Sequence, residues 1–256
     1  MSIALAALGA CGGAERSATT ATADHEGYRV RQSMWLSPAG AAGARLESLE
    51  DDRITETLRG RFQRGLPDDG CAAPLDALSS RFCEAIRLRP LKPALVRIIT
   101  AAGQELDAAA VERPIAELTA IDSESEGRRL YGVVIDLTAE MGSYSGPFVR
   151  LLNEGSRRLD WVRARDVESG QVEEVHLPTT LKTAWQVAKS TDGRGSDILV
   201  VACFPGPVSG GSDVANNFQV TYTRYSFEGG EWRRYQRSTP GFWENEGGFP
   251  ERSLFP

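Results

Sequence analysis

The stretch FQVTYTRYSFEGGEWRRYQR (residues 218–237) decides the fold class of this chain. Residues 218–227 are rich in aromatic and β-branched side chains, which strands favour, and residues 232–237 resume the same pattern. Between them lies Glu228-Gly229-Gly230, and paired glycines supply the backbone freedom that a tight hairpin turn requires. The stretch therefore predicts a β-hairpin of two long strands.

Strand patterns of the same kind continue upstream as far as residue 130. Residues 181–188 alternate with a period of two, which indicates a half-buried strand. Further strands are predicted at residues 130–137, 148–152, 157–164, 171–177 and 197–204, with 148–152 and 157–164 joined as a hairpin by the turn at 153–156. About eight strands with turn signals between them and no convincing crossover helix predict a mainly β fold. We expect an antiparallel meander arranged as a sandwich, a barrel or a propeller-like set of blades.

The N-terminal half is less regular and predicts one or two short helices. Apolar residues fall at helical spacing in residues 74–87, with Pro90 ending that helix, and residues 46–62 are a second candidate. Residues 94–100 (ALVRIIT) predict a strand, followed by a turn at Gly103-Gln104. We expect one β-rich domain over residues 28–256, with a soft boundary near residues 122–127 (DSESEG).

The first residues have the composition of an export signal. An apolar run at residues 3–10 ends in Leu8-Gly9-Ala10-Cys11, and such a run before small residues is typical of a signal peptide. The four residues resemble the lipobox of bacterial lipoproteins, and a cleaved secretory signal without lipid is the alternative. That resemblance implies that Cys11 is lipidated, that residues 1–10 are removed, and that residues 11–27 form a flexible linker between the lipid and the domain.

Two further expectations follow from the same region. Gly12 after the cysteine, where Asp would signal retention, resembles the pattern of lipoproteins exported to the outer membrane, which implies a site facing the periplasm in a diderm host. Neither Lys nor Arg precedes Cys11, so we expect the translation start to lie upstream of Met1. No other apolar run approaches the ~20 residues of a spanning helix, so the lipid at Cys11 is the predicted attachment to the membrane.

Charge and cysteine content exclude some classes of function. The net charge is −6, whereas a nucleic-acid-binding domain needs a basic face, so we predict no nucleic-acid partner. The pairs Arg157–Arg158 and Arg233–Arg234 are candidates for a local basic patch, but arginines on exposed strand faces are the favoured interpretation. Cys71 and Cys83 are the candidates for a disulfide in an oxidising envelope, although pairing of either with Cys203 stays open. Cys203, within an apolar run, is predicted to be buried.

The sequence predicts no catalytic residue, no metal site and no cofactor. His25 falls in the linker and His176 beside Pro178 at a strand end, so neither is well placed for a triad. Residues 142–146 (GSYSG) place Tyr144 where a nucleophile elbow needs Ser, which favours an ordinary turn. Asp136 and Glu140, which flank a strand end, are the first candidates for the two catalytic carboxylates of a hydrolase.

The distribution of aromatic residues is the one unusual feature. Ten of the twenty aromatic residues fall within residues 218–256. They form either a cross-strand core with a tail packed back on the sheet, or a surface that stacks on sugars or docks an envelope protein. Pro240 and Gly241 interrupt regular pairing, so Phe242 and Trp243 are the candidate exposed binding residues. We expect a non-catalytic binding or scaffolding lipoprotein, with a carboxylate-dependent hydrolase of cell-wall or extracellular polymer as the alternative.

Overall fold

A computed structural model of the chain describes residues 25–36, 43–63, 91–111, 113–121, 129–136, 143–144, 146–190, 193, 195–206 and 217–256. The first sheet, sheet A, consists of β1 (Tyr28–Trp35), β2 (Ala44–Asp51), β3 (Leu95–Thr100) and β4 (Glu105–Ala110). These strands lie side by side in chain order, each antiparallel to the next. A short helix, α1 (Glu56–Gln63), follows β2.

The second sheet, sheet B, has four strands in the order β10-β7-β6-β5. They are β5 (Ala116–Ile121), β6 (Leu130–Asp136), β7 (Pro147–Asn153) and β10 (His176–Pro178). All three pairings are antiparallel. Sheet B is therefore a meander that is extended by one short strand from later in the chain.

The third sheet, sheet C, has six strands in the order β11-β12-β13-β14-β8-β9. They are β8 (Arg163–Asp166), β9 (Val172–Glu174), β11 (Thr183–Lys189), β12 (Ser196–Pro205), β13 (Phe218–Glu228) and β14 (Glu231–Pro240). The β14–β8 pair is parallel and the other pairs are antiparallel. The long C-terminal hairpin thus forms the centre of this sheet.

The three sheets pack face to face, with sheet B as the middle layer. Tyr131 and Val133 of β6 join a buried cluster with Ile98 of sheet A. Leu130, which points to the opposite face of β6, joins a second cluster with Trp232 and other side chains of sheet C. Both faces of β6 are buried, which explains its nearly continuous apolar sequence.

A C-terminal tail, residues 241–256, covers part of the outer face of sheet C. Phe255 is buried in a cluster with Leu199, Val201 and Cys203 of β12. Arg252 forms an ion pair with Asp197, which is fully buried. For much of the C-terminal sequence, the aromatic residues therefore form a cross-strand core with a tail packed back on the sheet, which is the first of the two interpretations above.

The structure confirms the mainly β, antiparallel architecture and most of the predicted strands. The C-terminal hairpin has its turn at Gly229 and Gly230, whose φ angles are 60° and 87°, as a turn with two left-handed residues requires. Strands also lie where residues 94–100, 130–137, 148–152, 181–188 and 197–204 predicted them. Within the described ranges, no helix has the length and apolar character needed to cross a membrane.

Three local predictions are wrong. The helix expected at residues 46–62 is confirmed only as α1, because β2 takes residues 44–51 into backbone pairing with β1 and β3. The hairpin expected from 148–152 and 157–164 is reduced to an isolated bridge between Leu152 and Trp161, since β8 pairs with β14 and β9 instead. Residues 171–177 form two short strands in different sheets. The helix predicted at 74–87 and the soft boundary at 122–127 lie outside the described residues.

Candidate functional site

Exposed apolar side chains gather at the end of sheet C where β12 stops and β13 begins. Tyr144, Phe204 and Phe242 are among the large apolar side chains that the described part of the chain leaves exposed, and Leu181 is 36% exposed. With Lys182, we call these residues the aromatic rim. The rim is the candidate functional site.

Tyr144 and Phe204 form the most exposed aromatic pair of the rim. Their rings are parallel within 9°, with centroids 5.4 Å apart, which is within the range of favourable aromatic pairs. The two residues are 44% and 48% exposed. Stacking therefore fixes the ring planes while leaving much of both rings accessible to a partner.

Gly146, two residues after Tyr144, is held against the segment between β10 and β11 by a close backbone contact. A Cβ atom at Gly146 would lie 2.1 Å from the carbonyl oxygen of Thr179, so only glycine fits there. The Thr179 amide donates to the Pro147 carbonyl at 2.7 Å. These contacts place Tyr144 near residues 179–182, which lie beside the end of β12. Tyr144 can therefore contact Phe204, although the two residues are distant in sequence.

Leu181 extends this surface along the neighbouring strand. The Cys203 amide donates to the Lys182 carbonyl at 2.8 Å, which continues the pairing in which Thr183 faces Ala202. The same register places Leu181 opposite Phe204 on one face of the sheet. Leu181 and the Tyr144–Phe204 pair therefore belong to a single surface.

Lys182 and Phe242 complete the rim on the other face of the sheet. The Lys182 Nζ atom lies 3.6 Å from the centroid of the Phe242 ring, a cation–π distance, and 2.5 Å from Glu244 Oε1. Phe242 also meets Phe218 edge to face at 5.2 Å. Phe242 is 47% exposed, so its ring is oriented by these contacts without being covered by them.

Trp243, the other binding residue expected from the sequence, lies differently from Phe242. It is half-buried and packs against the apolar cluster beneath the tail. Its indole Nε1 donates to the Gly248 carbonyl at 3.1 Å, so its polar group is satisfied within the tail. Of the two candidates, Phe242 presents more of its ring to solvent.

Several residues singled out from the sequence lie outside the described residues. These are Cys11, Cys71, Cys83 and Glu140, and the side chain of Asp136 is likewise not described. Cys203 is a fully buried free thiol, which confirms its predicted burial. Among the described residues no three metal-ligating side chains come together.

Both histidines pair with glutamates, in separate places. His25 Nε2 lies 2.8 Å from Glu105 Oε2, and Glu105 also lies 3.5 Å from Arg97 Nη1. His176 is exposed, and its Nε2 lies 2.9 Å from Glu174 Oε1. Within the described part of the chain, the hydrogen-bond partner of each histidine side chain is a glutamate and not a Ser or Cys nucleophile.

The Glu174 carboxylate is held in its charged form. Arg150 donates to both of its oxygens, at 2.6 and 3.0 Å, and Arg150 itself lies 4.1 Å above the Trp161 ring. Burial opposes ionisation, but the hydrogen bonds from Arg150 and His176 outweigh it and lower the pKa of Glu174 below its ordinary value.

Other carboxylates show the same direction of shift. At Asp51, burial is outweighed by hydrogen bonds from Arg53 and from the Lys92 amide, and the pKa falls well below its usual range. Hydrogen bonds from the Ser169 amide and hydroxyl, followed by Arg234, lower the pKa of Asp166 to about 2. A general acid working near neutral pH needs a raised carboxyl pKa, and these three groups are shifted the other way.

The sequence pointed to Phe242 but missed the Tyr144–Phe204 pair. Phe204 ends an apolar run that is otherwise buried, and Tyr144 lies in a Gly/Ser turn some sixty residues earlier. The available signal was Pro205, which cannot donate a ladder hydrogen bond and so marks the strand end. Comparison with protein-family models, with curated proteins and with solved structures finds no match for this chain.

Proposed function

We propose that this protein is a non-catalytic binding domain of a lipid-anchored envelope protein, and that the aromatic rim is its contact surface. The observation that carries the proposal is the exposed, parallel Tyr144–Phe204 pair. Aromatic side chains are enriched at the centres of interaction surfaces because they bury a large area at a small cost in conformational entropy. The partner is an envelope protein or a polysaccharide.

Preorganisation supports a binding role for the rim. Gly146 fixes the Tyr144 loop, Lys182 and Phe218 orient Phe242, and the β12–β11 register places Leu181. Side chains already held in one geometry lose little freedom when a partner binds. An exposed patch of this kind is a liability in water unless a partner covers it.

The alternative function, a carboxylate-dependent hydrolase, has less support. Such an enzyme needs two carboxylates flanking one cleft, one of them with a raised pKa. The pKa values of Asp51, Asp166 and Glu174 are lowered, and these carboxylates are held by arginines or backbone amides. The first candidates for the two catalytic carboxylates are Asp136 and Glu140, and their side chains lie outside the described part of the structure.

Site-specific crosslinking in cells tests the binding function. A photoreactive phenylalanine analogue would replace Phe204 in one variant and Trp35 in another, since Trp35 is an exposed aromatic of sheet A that is 37% exposed. We expect a discrete adduct from position 204, and not from position 35, with its protein or glycan character read by protease and glycosidase digestion. Loss of that adduct in a Tyr144→Ala background is also expected. Equal crosslinking at both positions, or none at 204, would overturn the assignment of the rim.

The lipid anchor is tested separately. Labelled palmitate should enter the parent protein and not a Cys11→Ser variant, because only the lipidated cysteine of a lipobox receives acyl chains. Labelling of both proteins, or of neither, would refute the anchor while leaving the crosslinking result intact. The two parts of the proposal therefore fail independently.

A further inference from the structure

The outer face of sheet C beyond the tail contains four arginines on two neighbouring strands. In β8 the residues alternate between exposed and buried, and buried Ala164 faces sheet B, so Arg163 and Arg165 point outward. Arg233 is paired beside Arg165 in the parallel register and faces the same way. Arg237 lies on the same face of β14, four residues further on. We call these four arginines the basic face.

The basic face keeps an excess of positive charge. Arg165 and Arg233 share one carboxylate, Glu231, at 3.3 and 3.4 Å. Arg163 and Arg237 donate to backbone carbonyl groups, which do not cancel a charge. Two further acidic side chains border the face. Glu168 lies in the turn that follows β8, and Glu174, which is paired beside Arg163, is already bound by Arg150 and His176.

The charged residues around the basic face balance one another. Arg224 lies 3.9 Å from Asp197 and 3.8 Å from Glu228, and Arg252 is paired with Asp197. On the opposite face of β14, Arg234 is neutralised by two carboxylates. The basic face therefore carries an excess of positive charge, although the chain as a whole has a net charge of −6.

Exposed aliphatic side chains border the same surface. Val172 of β9 is paired beside Arg165 and is 38% exposed, and Val167 in the adjoining turn is also exposed. Leu254, whose carbonyl accepts a hydrogen bond from Arg237, is exposed as well. Cationic side chains interspersed with apolar ones are typical of surfaces that lie at a membrane interface.

We infer that the basic face docks against the surface of a bilayer that contains anionic phospholipids. Its arginines spread in two dimensions. Arg165 and Arg233 are about 5 Å apart between strands, whereas along a strand Arg163 and Arg165 are about 7 Å apart and Arg233 and Arg237 about 13 Å apart. This arrangement suits a planar array of headgroup charges better than a single linear chain. Each arginine near such a surface contributes to the free energy of membrane binding, because it is attracted by the negative surface potential. This inference goes beyond the proposed function and does not depend on lipid at Cys11.

Sedimentation with vesicles tests the docking surface. The full chain would be mixed with vesicles of phosphatidylglycerol and phosphatidylcholine, or of phosphatidylcholine alone, at low and high salt. We expect binding to the anionic vesicles that weakens with salt. The variant Arg165→Gln/Arg233→Gln should lose about 30-fold in affinity, from about 1 kcal/mol for each arginine. The charge-matched control Arg157→Gln/Arg158→Gln, which changes two exposed arginines outside the basic face, should bind like the parent.

Each outcome supports or overturns the inference. Equal binding to anionic and neutral vesicles, or equal loss in both double variants, would overturn it, because the attraction would then not come from this face. Displacement by inorganic polyphosphate at a phosphate concentration below that of the lipid headgroups would assign the face to a soluble polyanion instead. Retention of vesicle binding by Arg165→Lys/Arg233→Lys should accompany the loss in the glutamine variant and exclude a folding defect.

Discussion

Removal of the Phe255 ring tests how the C-terminal tail is held on sheet C. Phe255 is 6% exposed although it is the penultimate residue. Its ring stacks on Phe249 with centroids 5.6 Å apart and meets Tyr222 edge to face at 5.4 Å. Truncation of a buried phenylalanine costs roughly 3–5 kcal/mol in a closed core. Because a terminal tail can settle into part of the space left behind, we expect Phe255→Ala to weaken tail docking by about 2–3 kcal/mol.

The buried thiol of Cys203 provides a local assay of tail docking. Cys203 lies in the same cluster as Phe255 and is fully buried. Alkylation by iodoacetamide, located at Cys203 by mass spectrometry, reports the openings that expose it. A loss of 2–3 kcal/mol in docking predicts an increase of about 30- to 150-fold in the alkylation rate. The other cysteines need no substitution, because each labelled peptide is identified separately.

Leu254→Ala is the matched control for Phe255→Ala. Leu254 adjoins Phe255 in the chain but is 40% exposed, so its truncation should change stability by about 0.5 kcal/mol or less. The rate of Cys203 alkylation should then stay close to that of the parent. If both variants exposed Cys203 equally, or neither did, burial of the Phe255 ring would not be what holds the tail. Urea denaturation of both variants would separate local opening from global unfolding.

Three further perturbations test other parts of the structure. Arg59→Ala should lower the free energy of unfolding by about 2–3 kcal/mol, because buried Glu50 would keep only its contact with Arg29; urea denaturation that shows no loss would argue against the buried pair. Because the folded-state pKa of Asp166 is lowered to about 2 from 3.8, the stability it contributes is complete above about pH 4 and disappears towards pH 2. Asp166→Asn should therefore be less stable than the parent at pH 7 and approach it at pH 2. If the free energies of unfolding of the two proteins differed by the same amount at every pH, this reasoning would be refuted. Gly230→Ala should lower the free energy of unfolding by about 1 kcal/mol, because the φ of 87° strains any residue other than glycine. No atom lies near the added Cβ, so an unchanged melting temperature would show that the backbone is not strained there.

Local signals were sufficient to predict seven of the fourteen described strands. The Gly229-Gly230 turn and the alternation around it predicted β13 and β14, because a two-residue turn and a period of two are encoded by neighbouring residues. β2 was missed for the opposite reason. Glu47, Glu50 and Asp51 are all buried in this strand, and their charges are compensated by arginines, several of them distant in sequence. A sequence pattern shows the carboxylates but does not show the arginines that offset the cost of burying their charges.

The order of the strands was not predictable from local patterns. The parallel pairing of β14 with β8 joins residues some seventy positions apart, and no periodicity encodes such a choice. The short strands β9 and β10 belong to different sheets because the chain crosses between layers at Val175, which is buried. A continuous strand pattern at residues 171–177 cannot reveal that crossing.

The same limit applies to the aromatic rim. Phe242 was predictable because Pro240 and Gly241 end the pairing of β14 just before it. Phe204 is exposed although Cys203 beside it in β12 is buried, and Tyr144 can meet Phe204 because Gly146 allows a close approach to Thr179. The pairing of these two rings therefore depends on contacts between distant parts of the chain, which residue types alone do not determine.

The Tyr144–Phe204 pair of the rim and the Arg165–Arg233 pair of the basic face lie at opposite ends and on opposite faces of sheet C, so both pairs can be occupied at once. Phe204 faces Gln219, which is paired with Pro240 at the end of β14, whereas Arg233 lies near the other end of β14, next to β8. If Arg165 and Arg233 rest on a bilayer, the Tyr144–Phe204 pair stays free. Phe204→Ala should therefore leave binding to anionic vesicles unchanged, and Arg165→Gln/Arg233→Gln should leave crosslinking from the rim unchanged when the lipid anchor is intact. Coupled losses in these two assays would mean that the two surfaces serve a single partner.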